Sequence, residues 1–186
     1  KNKRNTFILS LALIIKNMIV PEKKTIEEIL GGVRVKYSVP NYQRAYDWGK
    51  GELQELMDDL TQLKGNKESN LFLGNLIFDV SNSENYKIVD GQQRLTSISI
   101  LFIALREHAR TLNDSEVASE VQKYISIYSK VRNKNDIKFE VSSNIRDLYE
   151  HMTNPNWDGL FPDKIDNKSI KRQVNKIRPI YNFIKD

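Results

Sequence analysis

The sequence predicts a mixed α/β (α+β) fold, in which a small mixed sheet with packed helices is followed by a mostly helical part. Two segments of alternating apolar and polar residues, VRVKYSV at residues 33–39 and DIKFEVS at residues 136–142, are typical of strands. Two longer segments, residues 51–63 and 92–112, repeat apolar residues at the spacing of a helix. Strands and helices therefore alternate in the first part of the chain, and helices dominate the second.

Composition and charge limit the classes of function. Of the 186 residues, 39% are hydrophobic and 28% are charged, which suits one compact domain with a real core. The 29 basic and 24 acidic residues leave a net charge of +5, which permits a polyanionic partner without requiring one. The absence of cysteine excludes disulfides, thiolate zinc sites and a cysteine nucleophile, and it agrees with the reducing cytoplasm, where we expect the protein.

The N-terminal segment is a separate question because it is basic and then apolar. Its apolar run, residues 7–15, is far shorter than the ~20 residues of a membrane-spanning helix, so we expect no membrane partner. We predict three parts: an N-terminal extension or packing helix (residues 1–18), a core (residues 19–112) and a mostly helical part (residues 113–186).

The first elements follow from local patterns. In TIEEILGG, Thr25 stands three residues before Glu28, which is the spacing of a capping box, and two glycines end this short helix. The alternating segment at residues 33–39 predicts a half-buried strand that ends at Pro40. Residues 51–63 then predict an amphipathic helix that lies on the core.

A hairpin and a buried helix are predicted next. NLFLGNLIFDV, residues 70–80, is rich in apolar and aromatic residues and predicts a strand. The turn residues SNSEN follow it, and YKIV at residues 86–89 completes the hairpin. Residues 92–112 are apolar on most faces, which predicts a helix that is buried on several sides.

The last third of the chain is predicted to be mostly helical. DSEVASEVQKYISIYS predicts a helix capped at Asp114 or Ser115, and SNIRDLYEHM predicts a short helix after the strand DIKFEVS. NPNWDGLFPD is a loop by its content of proline, glycine and asparagine. The tail KSIKRQVNKIRPIYNFIKD has a helical apolar stripe, which Pro179 should kink or interrupt.

Five polar or flexible residues join the strand KIV to the buried helix: Asp90, Gly91, Gln92, Gln93 and Arg94. Unpaired N–H groups and the helix dipole favour an anion at such a helix start, and Gly91 allows a ligand to approach the backbone closely. Arg94 can add a bidentate contact to a phosphate. Asp90 can cap the helix or hold a divalent cation, and the two glutamines can orient a water or a ligand. The pattern predicts a site for a phosphorylated ligand.

A structural explanation of the same residues stays open. Asp-Gly before a helix is a common cap-and-turn pair, and glutamine is a good helix former. Arg94 could equally pair with any acidic group on the surface. The pentapeptide alone does not decide between the two interpretations.

A second motif, YSVPNYQRAYDW at residues 37–48, places Tyr42, Tyr46 and Trp48 around Gln43 and Arg44. A fixed loop here would offer Arg44 to a phosphate or a nucleic-acid backbone, while an aromatic ring stacks on a base. The alternative is that the aromatic side chains cover the core. Arg44 is the stronger candidate for a binding residue.

Together, VPNYQRAYDW and IVDGQQRLTS, separated by FLGNLIF, resemble the N-terminal domain of GmrSD-type modification-dependent restriction proteins. The resemblance covers residues 19–112 and implies a core similar to the ParB/sulfiredoxin nucleotide-binding fold. It implies that Asp90 to Arg94 bind and hydrolyse a nucleoside triphosphate with Mg²⁺, held by Asp90, and that Tyr42, Gln43 and Arg44 face the same cleft. The base of the nucleotide stays open.

The resemblance also implies partners. Full-length members commonly join this domain to a C-terminal HNH-type nuclease domain or partner subunit, which cuts modified foreign DNA in phage defence. The present chain ends at Asp186 without a histidine-rich nuclease motif, so we expect no DNA cleavage by this fragment alone. We expect a regulatory nucleoside triphosphatase; the alternative is a ParB-like module that binds nucleotide or DNA without turnover.

Four basic residues of the tail could contact DNA: Lys168, Lys171, Arg172 and Lys176. They fall along the side of the predicted helix opposite its apolar stripe, where they could follow a phosphate backbone. A solvated helix face is the alternative explanation.

Overall fold

The computed structural model describes residues 21–32, 34–62, 71–129, 133–161 and 167–184, so the segment predicted at residues 1–18 lies outside the described part. The described helices are α1 (Glu27–Gly31, a π-helical turn), α2 (Lys50–Gln62), α3 (Gln92–Thr111), α4 (Ser115–Ile125), α5 (Arg146–Thr153) and α6 (Lys168–Asn182). The described strands are β1 (Lys36–Ser38), β2 (Ile77–Asp79), β3 (Asn85–Asp90), β4 (Ser126–Ser129), β5 (Lys134–Ile137) and β6 (Phe139–Glu140). The predicted mixed α/β fold is confirmed.

Four strands form one sheet in the order β2-β3-β1-β6. The inner strand β1 is parallel to both β3 and β6, whereas β2 pairs with β3 in an antiparallel hairpin. Because parallel strands end at the same edge of a sheet, the segments that follow Ser38, Asp90 and Glu140 begin next to one another. This edge is the place where the fold brings distant parts of the chain together. Strands β4 and β5 form a separate hairpin.

The core is built around α3, which packs against α4, α5 and α6. Leu95, Ile100 and Ile103 of α3 are fully buried and belong to the same cluster as Ile88 of β3 and Phe139 of β6. Burial on several sides explains why this helix is apolar almost all round, as predicted. Residues on both sides of residue 112 contribute to the sheet and to the core. The boundary predicted there, between the core and the mostly helical part, stays a prediction.

Several local predictions are confirmed. The capping box is present, because Thr25 N donates to Glu28 Oε2 at 2.6 Å and Glu28 N donates to Thr25 Oγ1 at 3.1 Å. Asp114 is the N-cap of α4 and accepts a hydrogen bond from Val117 N at 3.0 Å. The strand pair β2–β3 is the predicted hairpin, although regular pairing starts only at Ile77. None of the described helices is long and apolar enough to cross a membrane.

One predicted helix end was wrong. The helix predicted through SIYS ends at Ile125, and these four residues form β4, because Ile127 and Tyr128 pair with β5 across the hairpin. Pro179 does not interrupt α6, which continues to Asn182, and the alternative of a kink there stays a prediction. Proline removes only its own backbone hydrogen bond, and the buried residues that follow it hold the last turn against the core.

The predicted strand DIKFEVS is divided at Lys138 into β5 and β6. The Lys138 side chain is only 1% exposed, and its Nζ donates to the carbonyl oxygens of Leu30 and, at 2.5 Å, Lys123. Burial lowers the pKa of this ammonium group to about 8. The carbonyl bonds join α1 to the end of α4, but they do not offset the loss of hydration.

The buried ammonium group should make stability depend on pH. Between about pH 8 and the ordinary lysine value of 10.5 the unfolded chain binds more protons at this residue than the folded one, so stability should rise with pH. At about 1.4 kcal/mol per pKa unit, we expect a rise of up to roughly 2 kcal/mol between pH 8 and 10. Urea unfolding across this range should show the rise in the wild type and not in Lys138→Met. The exposed Lys134→Met is the matched control and should keep it; an equal slope in all three proteins would contradict the assignment.

Candidate functional site

The two sequence motifs meet at the carboxyl edge of the sheet. The DGQQR residues form the turn from β3 into α3, and the YQR residues lie in the loop that follows β1. Because β1 and β3 are parallel neighbours, both segments leave the sheet at the same edge. In open α/β sheets this is the edge at which ligands bind.

The turn from β3 into α3 depends on glycine. Gly91 has a φ of +86° and is the N-cap residue of α3, so no side chain caps this helix. A Cβ atom at Gly91 would collide with the Leu76 side chain and lie 3.1 Å from the carbonyl oxygen of Asn75. Asp90 is the last residue of β3 and is exposed, and it does not act as the helix cap. Asp90 is therefore not the cap that the structural explanation supposed, whereas the positive φ of Gly91 and its contacts with Leu76 and Asn75 fit the turn that it supposed.

Gln92 and Gln93 are each only 5% exposed, because their side chains turn toward the loop after β1. Gln92 Nε2 donates to the carbonyl oxygen of Arg44 at 2.7 Å. Gln93 Nε2 donates to Ala45 O at 2.9 Å, and Gln93 Oε1 accepts from Asp47 N at 2.9 Å. Gln93 Oε1 also accepts a longer bond from the next backbone N–H, at 3.3 Å. Both polar atoms of Gln93 are therefore used to hold the loop.

Gln43 makes the reverse connection. Its Nε2 donates to the carbonyl oxygen of Val89 at 2.8 Å and, at 3.4 Å, to that of Ile88, both in β3. The three glutamine side chains, which we call the glutamine bridge (Gln43, Gln92 and Gln93), bond the two motifs to each other's backbone. The family resemblance implied that the motifs face one cleft; the glutamine bridge shows that the two motifs are in direct contact.

A second clamp on the loop comes from residues that the sequence analysis did not identify. Tyr46 N donates to Ser142 Oγ at 3.1 Å and to Asn144 Oδ1 at 3.0 Å, and Asn144 Nδ2 donates to Tyr46 O at 2.8 Å. Ser142 and Asn144 follow β6, the third strand that ends at this edge. The sequence signal was a polar triplet, SSN, directly after a strand.

Tyr46 itself belongs to the core. It is 1% exposed, and burial raises its pKa to about 12 although its hydroxyl shares a hydrogen bond of 2.8 Å with Ser97 Oγ. Trp48 is partly buried against the core. For Tyr46 the structural explanation is correct, whereas Trp48 keeps part of its surface exposed. Tyr42 differs from them, with 74% of its surface exposed.

The charged residues of the motifs remain accessible to different degrees. Arg44 is exposed. Arg94 is partly buried, and its guanidinium lies over Gly74, where a Cβ atom would be only 2.5 Å from Nη1. The segment that contains Gly74 also carries Phe72, which is 78% exposed and was not singled out from the sequence. The edge thus offers two guanidinium groups and two exposed aromatic rings.

Metal binding would depend on few groups of the protein. No cluster of three or more histidine, aspartate or glutamate residues that could hold a metal ion occurs among the described residues. Asp90 is a single exposed carboxylate beside the start of α3. Mg²⁺ is commonly held by one or two carboxylates together with substrate phosphates, so this donor fits magnesium that arrives with a nucleotide rather than magnesium alone.

The basic residues of α6 do not behave alike. Lys168, Lys171 and Arg172 are exposed, whereas Lys176 is partly buried and forms an ion pair with Asp47. The hydrogen bond from Lys176, together with its charge, lowers the pKa of the Asp47 carboxyl. The ion pair places α6 beside the loop that the glutamine bridge holds. Contact between these basic residues of α6 and DNA stays a prediction.

Comparison with known proteins agrees with the two motifs. The sequence model of the family described as GmrSD restriction endonuclease, N-terminal domain, matches residues 26–186. The match continues past residue 112, where the resemblance of the motifs ended, and covers all strands described above. Comparison with curated protein sequences gave no match.

Proposed function

The chain belongs to the family of GmrSD restriction endonuclease N-terminal domains, and we propose that its shared sheet edge binds and hydrolyses a nucleoside triphosphate. Membership in this family makes the chain a domain of a restriction protein. Our proposal adds the ligand, the reaction and the residues. Hydrolysis would regulate DNA cleavage by a C-terminal HNH-type nuclease domain or partner subunit.

The observation that carries the proposal is the glutamine bridge. It joins the loop that bears Arg44 to the turn that bears Arg94, so two arginine-bearing segments meet at one helix start. No side chain caps that helix, and its first N–H groups and its dipole favour an anion there. A phosphate chain is the anion that suits two arginines and a row of backbone donors.

Each residue has a distinct role in this proposal. Arg44 and Arg94 would offset phosphate charge, and Gly91 makes the tight turn that starts α3, whose first N–H groups can donate to phosphate. Asp90 would hold magnesium, and the ion would supply positive charge against the charge that develops on the phosphate. Gln92 and Gln93 act as positioning residues, because their amides bond to the loop. A direct part in hydrolysis for either glutamine stays a prediction.

One observation favours the alternative of a ParB-like module that binds nucleotide without turnover. Both polar atoms of Gln93 are bonded to the backbone, and so is Gln92 Nε2. These glutamines would have to break contacts before they could orient an attacking water. Asp90 is then the carboxylate of the β3–α3 turn that is left to act as a base, so binding and hydrolysis must be measured separately.

The test is binding and phosphate release with ATP, GTP, CTP and UTP in the presence of Mg²⁺. We expect Arg44→Ala to weaken binding about tenfold or more, since hydrogen bonds to charged groups contribute about 1.5–3 kcal/mol. Asp90→Asn should abolish phosphate release and weaken binding less. Binding without release in the wild type would select the ParB-like alternative.

Two exposed residues provide matched controls. Arg34 precedes β1 and therefore lies toward the opposite edge of the sheet, so Arg34→Ala should leave binding unchanged. Asp59 is an exposed carboxylate on α2, and Asp59→Asn should leave phosphate release unchanged. No binding of any of the four nucleotides, or equal losses in test and control variants, would refute the proposed site.

A further inference from the structure

A concave surface lies beside the loop that the glutamine bridge holds. It is a groove of about 1050 Å³ between the start of α2 and one face of α6. Trp48, Lys50 and Gln54 belong to the first wall, and Arg172 and Phe183 belong to the second. None of the DGQQR or YQR residues lines it, so the groove is distinct from the proposed nucleotide site.

The groove is positively charged. Lys50, Arg172 and Lys176 are among its lining residues, and none of the described residues that line it is a carboxylate. Asp47 pairs with Lys176 and offsets one of these charges, which leaves Lys50 and Arg172 to attract an anion. Arg172 is exposed, so its guanidinium can meet a ligand without losing a buried contact.

Flat apolar surface and hydrogen-bonding groups complete the lining. Trp48 and Phe183 are both partly buried and expose part of their rings to the groove. The side-chain amides of Gln54 and Asn175 provide donors and acceptors. Pro179 has no N–H group, so the carbonyl oxygen of Asn175 lacks its helical partner and can accept a bond from a ligand.

We propose that this groove binds a single strand of nucleic acid. Proteins bind single strands in positive grooves whose aromatic side chains stack on the bases, and this groove combines both features. Its lining on α6 extends from Ser169 to Phe183, which at 1.5 Å per residue is about 21 Å and allows several nucleotides to lie along it. A duplex presents its bases inside and could not place them on Trp48 within a groove. The proposal does not depend on nucleotide hydrolysis.

The groove and the proposed nucleotide site share one wall. Trp48 N donates to Gln93 Oε1 at 3.3 Å, and Asn144, which clamps Tyr46, also lines the groove. A strand in the groove therefore contacts the same loop that presents Arg44 at the other site. This is the physical route by which one ligand could affect the other.

The first experiment measures binding of a short labelled thymidine oligonucleotide to the full chain by fluorescence anisotropy, without nucleotide. We expect Arg172→Glu and Lys50→Glu each to weaken binding about tenfold, because each reverses a charge that faces the strand. Lys134→Glu makes the same kind of charge change at an exposed lysine of β5 outside the groove lining, and it should weaken binding no more than about twofold. Circular dichroism and the urea midpoint of each variant report whether the fold is intact.

The second experiment asks whether bases stack on Trp48. Tryptophan fluorescence should be quenched by the oligonucleotide in the wild type, and Trp48→Phe should remove the quenching, since Trp157 is buried in the core. Three results would refute the proposal: binding that is weakened equally in Lys134→Glu and Arg172→Glu, fluorescence quenching that survives in Trp48→Phe, or tighter binding of the matching duplex than of the single strand.

The two proposals can fail independently. Arg172→Glu should keep the nucleotide affinity of the wild type, because Arg172 does not belong to the DGQQR edge. Arg44→Ala should keep the affinity for the oligonucleotide. If Arg44→Ala lost oligonucleotide binding and Arg172→Glu kept it, the oligonucleotide would bind at the sheet edge. That result would overturn the assignment of the groove.

Discussion

Replacing Arg106 by methionine is expected to lower the free energy of unfolding by about 3–5 kcal/mol, which is the usual cost of breaking a buried ion pair. Arg106 is fully buried on α3 and pairs with Glu107 at 2.5 Å. Its guanidinium also donates to Gln122 Oε1 at 2.6 Å and to the carbonyl oxygen of Met152 at 2.7 Å. One side chain thus joins α3 to α4 and α5. Urea unfolding followed by circular dichroism measures the loss.

The neighbouring Arg110 is the matched control. Its Nη1 lies 2.8 Å from the same Glu107 oxygen and its Nη2 donates to Pro155 O at 2.5 Å, but its side chain is 34% exposed. Because water can replace part of its contacts, Arg110→Met should cost only about 1–2 kcal/mol. A loss in Arg106→Met that is no larger than in Arg110→Met would show that the buried network does not hold the three helices together.

Replacing Gln93 by leucine should release the loop after β1, at a cost of about 3 kcal/mol in the free energy of unfolding. The expected loss is large because the change removes one donor and one acceptor together and leaves Ala45 O and Asp47 N unpaired at a partly buried position. Hydrogen exchange should show faster exchange of the Asp47 amide, and nucleotide affinity should fall at least about tenfold with the displaced Arg44.

Gln54→Leu controls for the loss of an amide side chain. Gln54 is exposed on α2 and donates one hydrogen bond, at 2.8 Å, to Asp58 Oδ1. Its replacement should change the free energy of unfolding by less than about 0.5 kcal/mol and leave nucleotide affinity unchanged. Unchanged exchange of the Asp47 amide in Gln93→Leu would mean that the loop is held in place without the glutamine bridge.

Patterns confined to a few neighbouring residues predicted their structures well. The capping box of Thr25 and Glu28, the Asp114 cap and the long helix that starts at Gln92 all depend on spacings within one turn or one helix. Such interactions form between residues that are already close along the chain. For this reason the mixed α/β class and most helix positions could be predicted from sequence.

The same local reasoning failed where a partner strand or helix decided the outcome. SIYS continues a helical pattern, yet it pairs with β5 because the hairpin offers it backbone hydrogen bonds. NLFLGNLIFDV has strand composition along its whole length, but only Ile77–Asp79 finds a partner, in β3. Side chains favour a conformation, and the neighbour that arrives in the folded protein selects it.

For the candidate site, the motifs predicted which chemical groups are present. They did not predict what each side chain contacts in the folded protein. The sequence identified an anion-favouring helix start with Gly91, Arg94 and Arg44 nearby, because these properties belong to the residues and their local order. Whether a glutamine faces a ligand or a backbone depends on the register of parallel strands far apart in the chain. Gln93 reaches Ala45, 48 residues away, only because β1 lies beside β3. The groove along α6 likewise exists only once that helix has packed beside the loop, since neither of its walls is a site alone.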